Sequence, residues 1–206
     1  MKKYTTNHKT GFTLVELLVS LAIFSIVVVA SLGAMLSIAD ANRRVQKTRA
    51  VLDNLSLSME SMSRNLRLGN TYRCEKIEGP TYTVPSSNLH VTRDCSSLSG
   101  NWGNFVAFED QFGNQVDNTD QAYYYLDQVS GRIMYKKYNV AATTALTSDD
   151  LKIKSLRFYV TGITGTGEKV QPKIIIVVSG TTEVGKAQEP VEINLQTTVS
   201  QRPLNI

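Results

Sequence analysis

The sequence predicts an α+β protein: one long N-terminal helix followed by an antiparallel β-sheet head. Three observations carry that reading. Phe12 to Ala39 is an apolar run of 28 residues whose only charge is Glu16, longer than the ~20 residues that cross a bilayer as a helix. Directly after it, Val45, Thr48, Leu52, Leu55, Met59, Met62 and Leu66 recur at alternating steps of three and four, the stripe of an amphipathic helix. From Asn70 onward, short segments rich in Val, Ile, Thr, Tyr and Phe alternate with turn residues, as β-strands do. The chain's 206 residues hold one ordinary domain plus this helix. Its 42% apolar content excludes a disordered tail and a polytopic membrane protein.

The apolar run follows a short basic segment with Lys2, Lys3 and Lys9 and no acid. A secretory signal peptide fits that outline, and Ala39-Asp40-Ala41 offers an A-x-A-like cleavage site. Against it, signal-peptide apolar cores are only about 7–15 residues long. An uncut signal anchor is the second reading. Charge alone leaves the topology open, because Arg43, Arg44, Lys47 and Arg49 flank the far end of the run. Glu16 stands out, since an ionisable group in an apolar span is costly and usually marks a partner. The plainer alternative is an interfacial Glu that reaches water.

The amphipathic stripe predicts a helix packed on its own domain's sheet. A coiled coil prefers stronger core residues than Thr48 and Met59. Gly69-Asn70 reads as the C-cap. Strands are expected at Asn88–Arg93, Asn104–Glu109, Ala122–Asp127, Arg132–Lys137, Leu151–Thr161, Lys173–Ser179 and Val191–Ser200. The third and fourth are joined by Gln128-Val129-Ser130-Gly131 as a hairpin. Val191–Ser200 alternates like a half-buried strand, and the continuous apolar run Ile174–Val178 predicts a central strand covered on both faces. Cys74 and Cys95, the only two cysteines, are expected to pair if the head lies outside the cytoplasm.

The head brings little that looks like catalysis. Residues 70–206 carry thirteen Lys and Arg against fourteen Asp and Glu, so the pI near 9.0 comes from the leader and helix. A near-neutral head argues against DNA as its ligand. His90, beside Leu89 and Val91, reads as structural. Ser96-Ser97-Leu98-Ser99 has no recognisable base or nucleophile elbow. The glycine-rich Gly162–Gly167 fits no phosphate-loop pattern. Asp110–Asp120 has many oxygens, but its spacing is not that of an EF-hand. Tyr123-Tyr124-Tyr125 reads as a strand with aromatics on both faces. The sequence assigns no catalytic residue, no cofactor and no metal ligand.

The string GFTLVELLVSLAIF from Gly11 to Phe24 resembles the class III signal of type IV pilins and the pseudopilins of type II secretion. Met62-Ser63-Arg64-Asn65-Leu66-Arg67 also resembles the helix end of many minor pilins, among which the J-type minor pseudopilin is similar. The resemblance implies that a prepilin peptidase cuts between Gly11 and Phe12 and methylates the new amine of Phe12. It makes Glu16 the assembly contact, paired with the Phe12 amine of a neighbouring subunit. The organisation it implies is a cleaved leader (1–11), a membrane or filament-core half-helix (12–39), an amphipathic half-helix (40–69) and a β-rich head (70–206). Other pilins or pseudopilins, an inner-membrane assembly platform and membrane lipid are the partners implied. The leader would face the cytoplasm and the head would lie outside. The expected role is a structural minor subunit, priming or tip-proximal, and not an enzyme. A membrane-tethered binding domain that never enters a filament and a competence pilin for DNA uptake are the other readings.

Overall fold

A computed structural model describes residues 11–79, 89–114, 117, 120–138, 140–163, 171–182 and 190–202. One helix, α1 (Leu14–Leu68), precedes eight strands, and the architecture is α+β and pilin-like. The strands are β1 (Asn70–Glu75), β2 (Phe105–Glu109), β3 (Ala122–Asp127), β4 (Arg132–Lys137), β5 (Thr143–Ala145), β6 (Leu151–Thr161), β7 (Lys173–Thr182) and β8 (Val191–Ser200). A short 3-10 turn, Cys95–Ser97, lies between β1 and β2. The chain divides into two compact units, Met1–Gln46 and Lys47–Ile206, with the boundary inside α1.

In the first unit, every residue of α1 is exposed. Seventeen large apolar side chains between Phe12 and Ile38 are exposed, against six in the rest of the described chain. That much apolar surface in water is unfavourable, so this segment requires lipid or other helices around it. Ser20, Ser25 and Ser31 donate their hydroxyls to the carbonyls of Glu16, Leu21 and Val27 at 2.7, 2.8 and 2.7 Å, one turn back on the same helix.

In the second unit, the helix buries Val51, Leu55, Ser58, Met59, Met62 and Leu66. The observed stripe departs from the expected one at its start. Val45 is exposed and Leu52 half-buried, and Val51 takes the core position instead. The heptad steps of three and four hold from Leu55 onward, where strands lie opposite. Ser58, polar within that stripe, donates to Leu146 O at 2.6 Å, and Asn54 Oδ1 accepts from Ser148 N–H at 2.9 Å. These two bonds tie the helix to the β5–β6 connection.

The helix ends at Leu68, but not by the expected glycine cap. Gly69 lacks a positive φ. Its role is close approach: a Cβ there would lie 2.7 Å from the Phe108 ring and 2.8 Å from the Glu109 carbonyl. The last carbonyls are satisfied by tertiary partners instead. The buried Tyr72 hydroxyl lies 2.5 and 2.6 Å from the carbonyls of Leu66 and Gly69, and Arg202 N–H donates to Arg67 O at 2.9 Å. Burial pushes the Tyr72 phenol up, so it remains a donor throughout the ordinary pH range.

The strands form two antiparallel meanders, β1-β2-β3-β4-β5 and β6-β7-β8, each in sequence order. Strand β2 is buried at all five positions. Its Val106 and Phe108 face the helix core, while Phe105 and Ala107 join Leu89 and Tyr123 in a second cluster on the other face. The strand covered on both faces is therefore β2. In β7, Ile174, Ile176 and Val178 are buried, but Ile175 and Val177 on the opposite face are only half-buried, which corrects the expectation for that run. No second layer covers the outer face of this sheet among the described residues.

Two strands lie outside the sequence expectation, β1 and the three-residue β5. The strand expected over Asn88–Arg93 is not formed. Leu89 and His90 lie in a turn, and only Arg93 makes an isolated parallel bridge, to Arg73; Asn88 lies outside the described residues. Leu89 supplies the apolar plug over the second cluster, which explains why a strand-like composition packs without a ladder. The β3–β4 hairpin turns at Gly131, φ +67°, where a side chain would be strained. The Ser130 hydroxyl and the N–H groups of Val129 and Ser130 hold the Asp127 carboxyl below its ordinary range.

Candidate assembly site at the start of the helix

Gly11, Phe12 and Thr13 precede the first helical residue, Leu14, and all three are exposed. Phe12 is 74% exposed, an unusual state for a phenylalanine. Gly11 has nothing within 4 Å of a notional Cβ, so no steric demand among the described residues selects glycine there.

Glu16 sits in the first turn of α1. Thr13 N–H and the Thr13 hydroxyl both lie within hydrogen-bond reach of Glu16 Oε2, at 3.1 and 3.0 Å. In return, Glu16 N–H donates to the Thr13 hydroxyl at 3.3 Å. This is a capping box, in which a Thr and the Glu three residues later satisfy each other's backbone donors. Thr13 is thus a site residue that the sequence reading left out, although the T-x-x-E spacing signals it. The carboxylate also lies at the positive end of the helix, where its charge is favoured. Leader residues 1–10, with Lys2, Lys3, His8 and Lys9, lie outside the described residues.

Cys74 on β1 and Cys95 at the 3-10 turn are joined in a disulfide, both essentially buried. Around it, Gly103 exchanges two backbone hydrogen bonds with Phe158 of β6, at 2.9 and 2.7 Å. A Cβ on Gly103 would lie 2.3 Å from Glu75 O and 2.6 Å from Cys74 Sγ. The bridge therefore secures the segment before β2 to both sheets. Beside it, Glu75 pairs with Arg73 at 2.6 Å and Arg93 at 2.9 Å, holding the isolated bridge between those two arginines.

The remaining sequence candidates fall apart from one another. His90 lies in a turn and not on a strand, with a buried Nδ1. Tyr124 faces the helix, its hydroxyl accepting from Asn65 Nδ2 at 2.7 Å, while Tyr123 packs on Phe105 across the other face. Of the glycine-rich stretch, residues 164–167 lie outside the described residues, as do 115, 116, 118 and 119 of the oxygen-rich loop. Among the described residues, no group of three or more His, Cys, Asp or Glu is arranged to hold a metal ion.

One helix that is apolar and exposed over its first half, capped at its start by Glu16, and that enters the core of an antiparallel β head defines a pilin-like, membrane-anchored class of protein. Residues 6–32 match the family model described as the prokaryotic N-terminal methylation motif, which supports the type IV pilin and pseudopilin class for this chain. That motif implies processing by a prepilin peptidase and assembly with other pilins. No curated protein and no solved structure is significantly similar to the chain.

Proposed function

We propose that this protein is a structural minor pilin or pseudopilin. In this reading a prepilin peptidase cuts between Gly11 and Phe12, the Phe12 amine is methylated, and the mature chain enters a filament of a type IV pilus or a type II secretion machine. The head lies outside the cytoplasm. The observation that carries the reading is the first turn of α1, where Glu16 is the one charge in an apolar half-helix, 12–39, that is exposed throughout. A carboxylate and a neighbouring subunit's ammonium offset each other's desolvation when the helices pack together.

A priming or tip-proximal place in the filament follows from the head's size. Residues 70–206 make a head of 137 residues, and main-shaft pilins of the resembled family usually carry smaller ones. Fewer neighbours crowd a subunit at the end of a filament. The head then acts by contact with partner subunits and not by catalysis.

Intact-mass measurement of the protein from membrane extracts tests the processing. A chain beginning at Phe12 with one added methyl group supports the reading; a chain beginning at Met1 or after Ala41 overturns it. Position in the filament is tested by shearing: this protein as the bulk of the sheared filament would make it a major subunit.

A further inference from the structure

The head as a whole is near neutral, but its charge is not spread evenly. In the sheet β6-β7-β8, the side chains that alternate away from the core share one outer face. Register sets Arg157, Val177 and Gln196 in one row across it and Tyr159, Ile175 and Thr198 in the next. Lys152, Lys154, Arg157 and Lys173 are exposed along these strands, and Glu192 is their only acid among the described residues. Glu192 lies in the row of Lys152 and Thr181, where Lys154 pairs with it at 3.3 Å. The rows through Arg157 and Tyr159 therefore hold no acid.

Trp102, the only tryptophan of the chain, lies alongside these rows. The two hydrogen bonds between Gly103 and Phe158 bring its backbone against β6. Gly100, φ +82°, closes on the ring from the other side of the turn: a Cβ there would lie 2.8 Å from the indole Nε1. Asn101, φ +57°, continues in the left-handed region, and the turn and the bridge to β6 together hold the half-buried indole in place. Arg157 Cζ lies 4.9 Å and Lys76 Nζ 4.5 Å from the ring centroid. The two charges are thus within about 10 Å of each other, inside a Debye length at about 0.1 M salt. An aromatic face attracts a cation without cancelling its charge. Neither cation meets a carboxylate among the described residues. Their neighbours differ: Arg73 and Arg93 share Glu75, and Lys152 donates to Ser130 O at 3.1 Å.

We propose that this face docks an acidic protein surface, supplied in a filament by the head of a neighbouring subunit. Trp, Tyr and Arg are the residues that anchor protein interfaces. Here they border the half-buried Ile175 and Val177, with the amide of Gln196 and the hydroxyl of Thr198 beyond. That is an apolar centre with a polar rim. Carboxylates of a partner would neutralise Lys76 and Arg157 together, and two cations already held by one ring lose little freedom in engaging them. A nucleobase or a sugar ring would need the indole face that the cations occupy. A polyanion would need a longer row of free cations than Lys76, Arg157 and the outlying Lys173, since Lys152 and Lys154 are engaged. Only the assignment of the partner as a subunit rests on the filament reading; the acidic chemistry stands without it.

As the only tryptophan, Trp102 reports occupancy of the patch directly. The full-length protein in detergent is titrated with a short peptide of alternating Glu and Leu, and with its counterpart of alternating Gln and Leu. A saturable change in indole emission is expected with the first and none with the second. Arg157→Gln and Lys76→Gln should each weaken binding about threefold, and the double variant about tenfold. Arg64→Gln, on α1, should bind as the unaltered protein does. No response to the Glu peptide, or an equal response to the Gln peptide, overturns the acidic dock. So does oligothymidylate or polygalacturonate saturating at lower concentration, which would make the patch a nucleic-acid or sugar site. Should the variants not fold, salt decides in the unaltered protein: binding must fall as salt rises from about 0.05 to about 0.5 M, and constant binding overturns the proposal. In cells, the double variant should still be cut after Gly11 but co-purify less with partner pilins; undiminished co-purification overturns the assignment to a subunit. A chain beginning at Met1 or after Ala41 removes the filament reading and leaves the peptide result intact.

Discussion

Thr13 and Glu16 cap each other, with Thr13 N–H donating to Glu16 Oε2 at 3.1 Å and Glu16 N–H donating to the Thr13 hydroxyl at 3.3 Å. Both residues lie after the Gly11–Phe12 bond, so cleavage there would leave the box intact. The box fixes the carboxylate against the helix start while, among the described residues, nothing donates to Oε1. A carboxylate held in place loses less side-chain freedom when a second partner arrives.

That relationship separates two roles of Glu16. Glu16→Gln retains an oxygen to accept from Thr13 but loses the charge, and Glu16→Ala loses both. If the charge pairs with a neighbour's amine, both variants should be cleaved and inserted normally yet fail to co-purify with partner pilins. Co-purification retained by Glu16→Gln and lost by Glu16→Ala would leave only the cap as its role. Thr13→Val should weaken the helix start by about 1 kcal/mol, read as faster amide exchange in the first turn.

Replacing Cys74 and Cys95 by Ser should cost the head about 3 kcal/mol in the chain-entropy picture of a loop this size. Thermal unfolding of the purified protein, with and without reductant, checks the magnitude. Exchange should quicken first in residues 89–103, which the bridge secures to β1 and β6. Both thiols reacting with an alkylating reagent in the absence of reductant would show that no bridge forms.

Gly103→Ala should cost about 1–3 kcal/mol, since backbone on one side and the disulfide on the other leave no room for a methyl group. The cost should shrink in the Cys74→Ser/Cys95→Ser background, where the sulfur contact can relax. Equal losses in both backgrounds, measured by denaturant unfolding, would place the strain on Glu75 O alone.

Along α1, Leu55→Ala should cost about 2–5 kcal/mol, as large-to-small changes in a filled core do. Leu57→Ala, at a position 65% exposed, should change head stability by less than about 0.5 kcal/mol. A large loss at Leu57 would mean that the stripe faces the other way.

The strands that the sequence makes legible are those rich in Val, Ile, Thr, Tyr and Phe and bounded by turn residues, with alternating burial in β6 and β8. Ala122–Asp127, Arg132–Lys137, Leu151–Thr161 and Val191–Ser200 are observed with the expected bounds. Strand β1 is hidden because Asn70-Thr71-Tyr72-Arg73-Cys74-Glu75 is mostly polar. Its place is set by Tyr72 reaching the helix end and Cys74 reaching its partner, both long-range facts. In β7 an apolar run suggests cover on two faces, but burial depends on which layers exist, and the second layer lies over β2. At the helix start, Glu16 is conspicuous as a lone charge, whereas Thr13 is inconspicuous until the spacing to Glu16 is read as a cap.

Three of the four serines in the apolar run, Ser20, Ser25 and Ser31, carry their hydrogen bonds with them, each bonded to its own backbone one turn back. None of these three hydroxyls along Leu17–Leu36 must therefore exchange partners when the surroundings change. Oil on one side of a transfer and packed helices on the other look alike to such a segment, because both present only apolar contact. The helix is portable between them, and the one charge of the run that registers the move is Glu16.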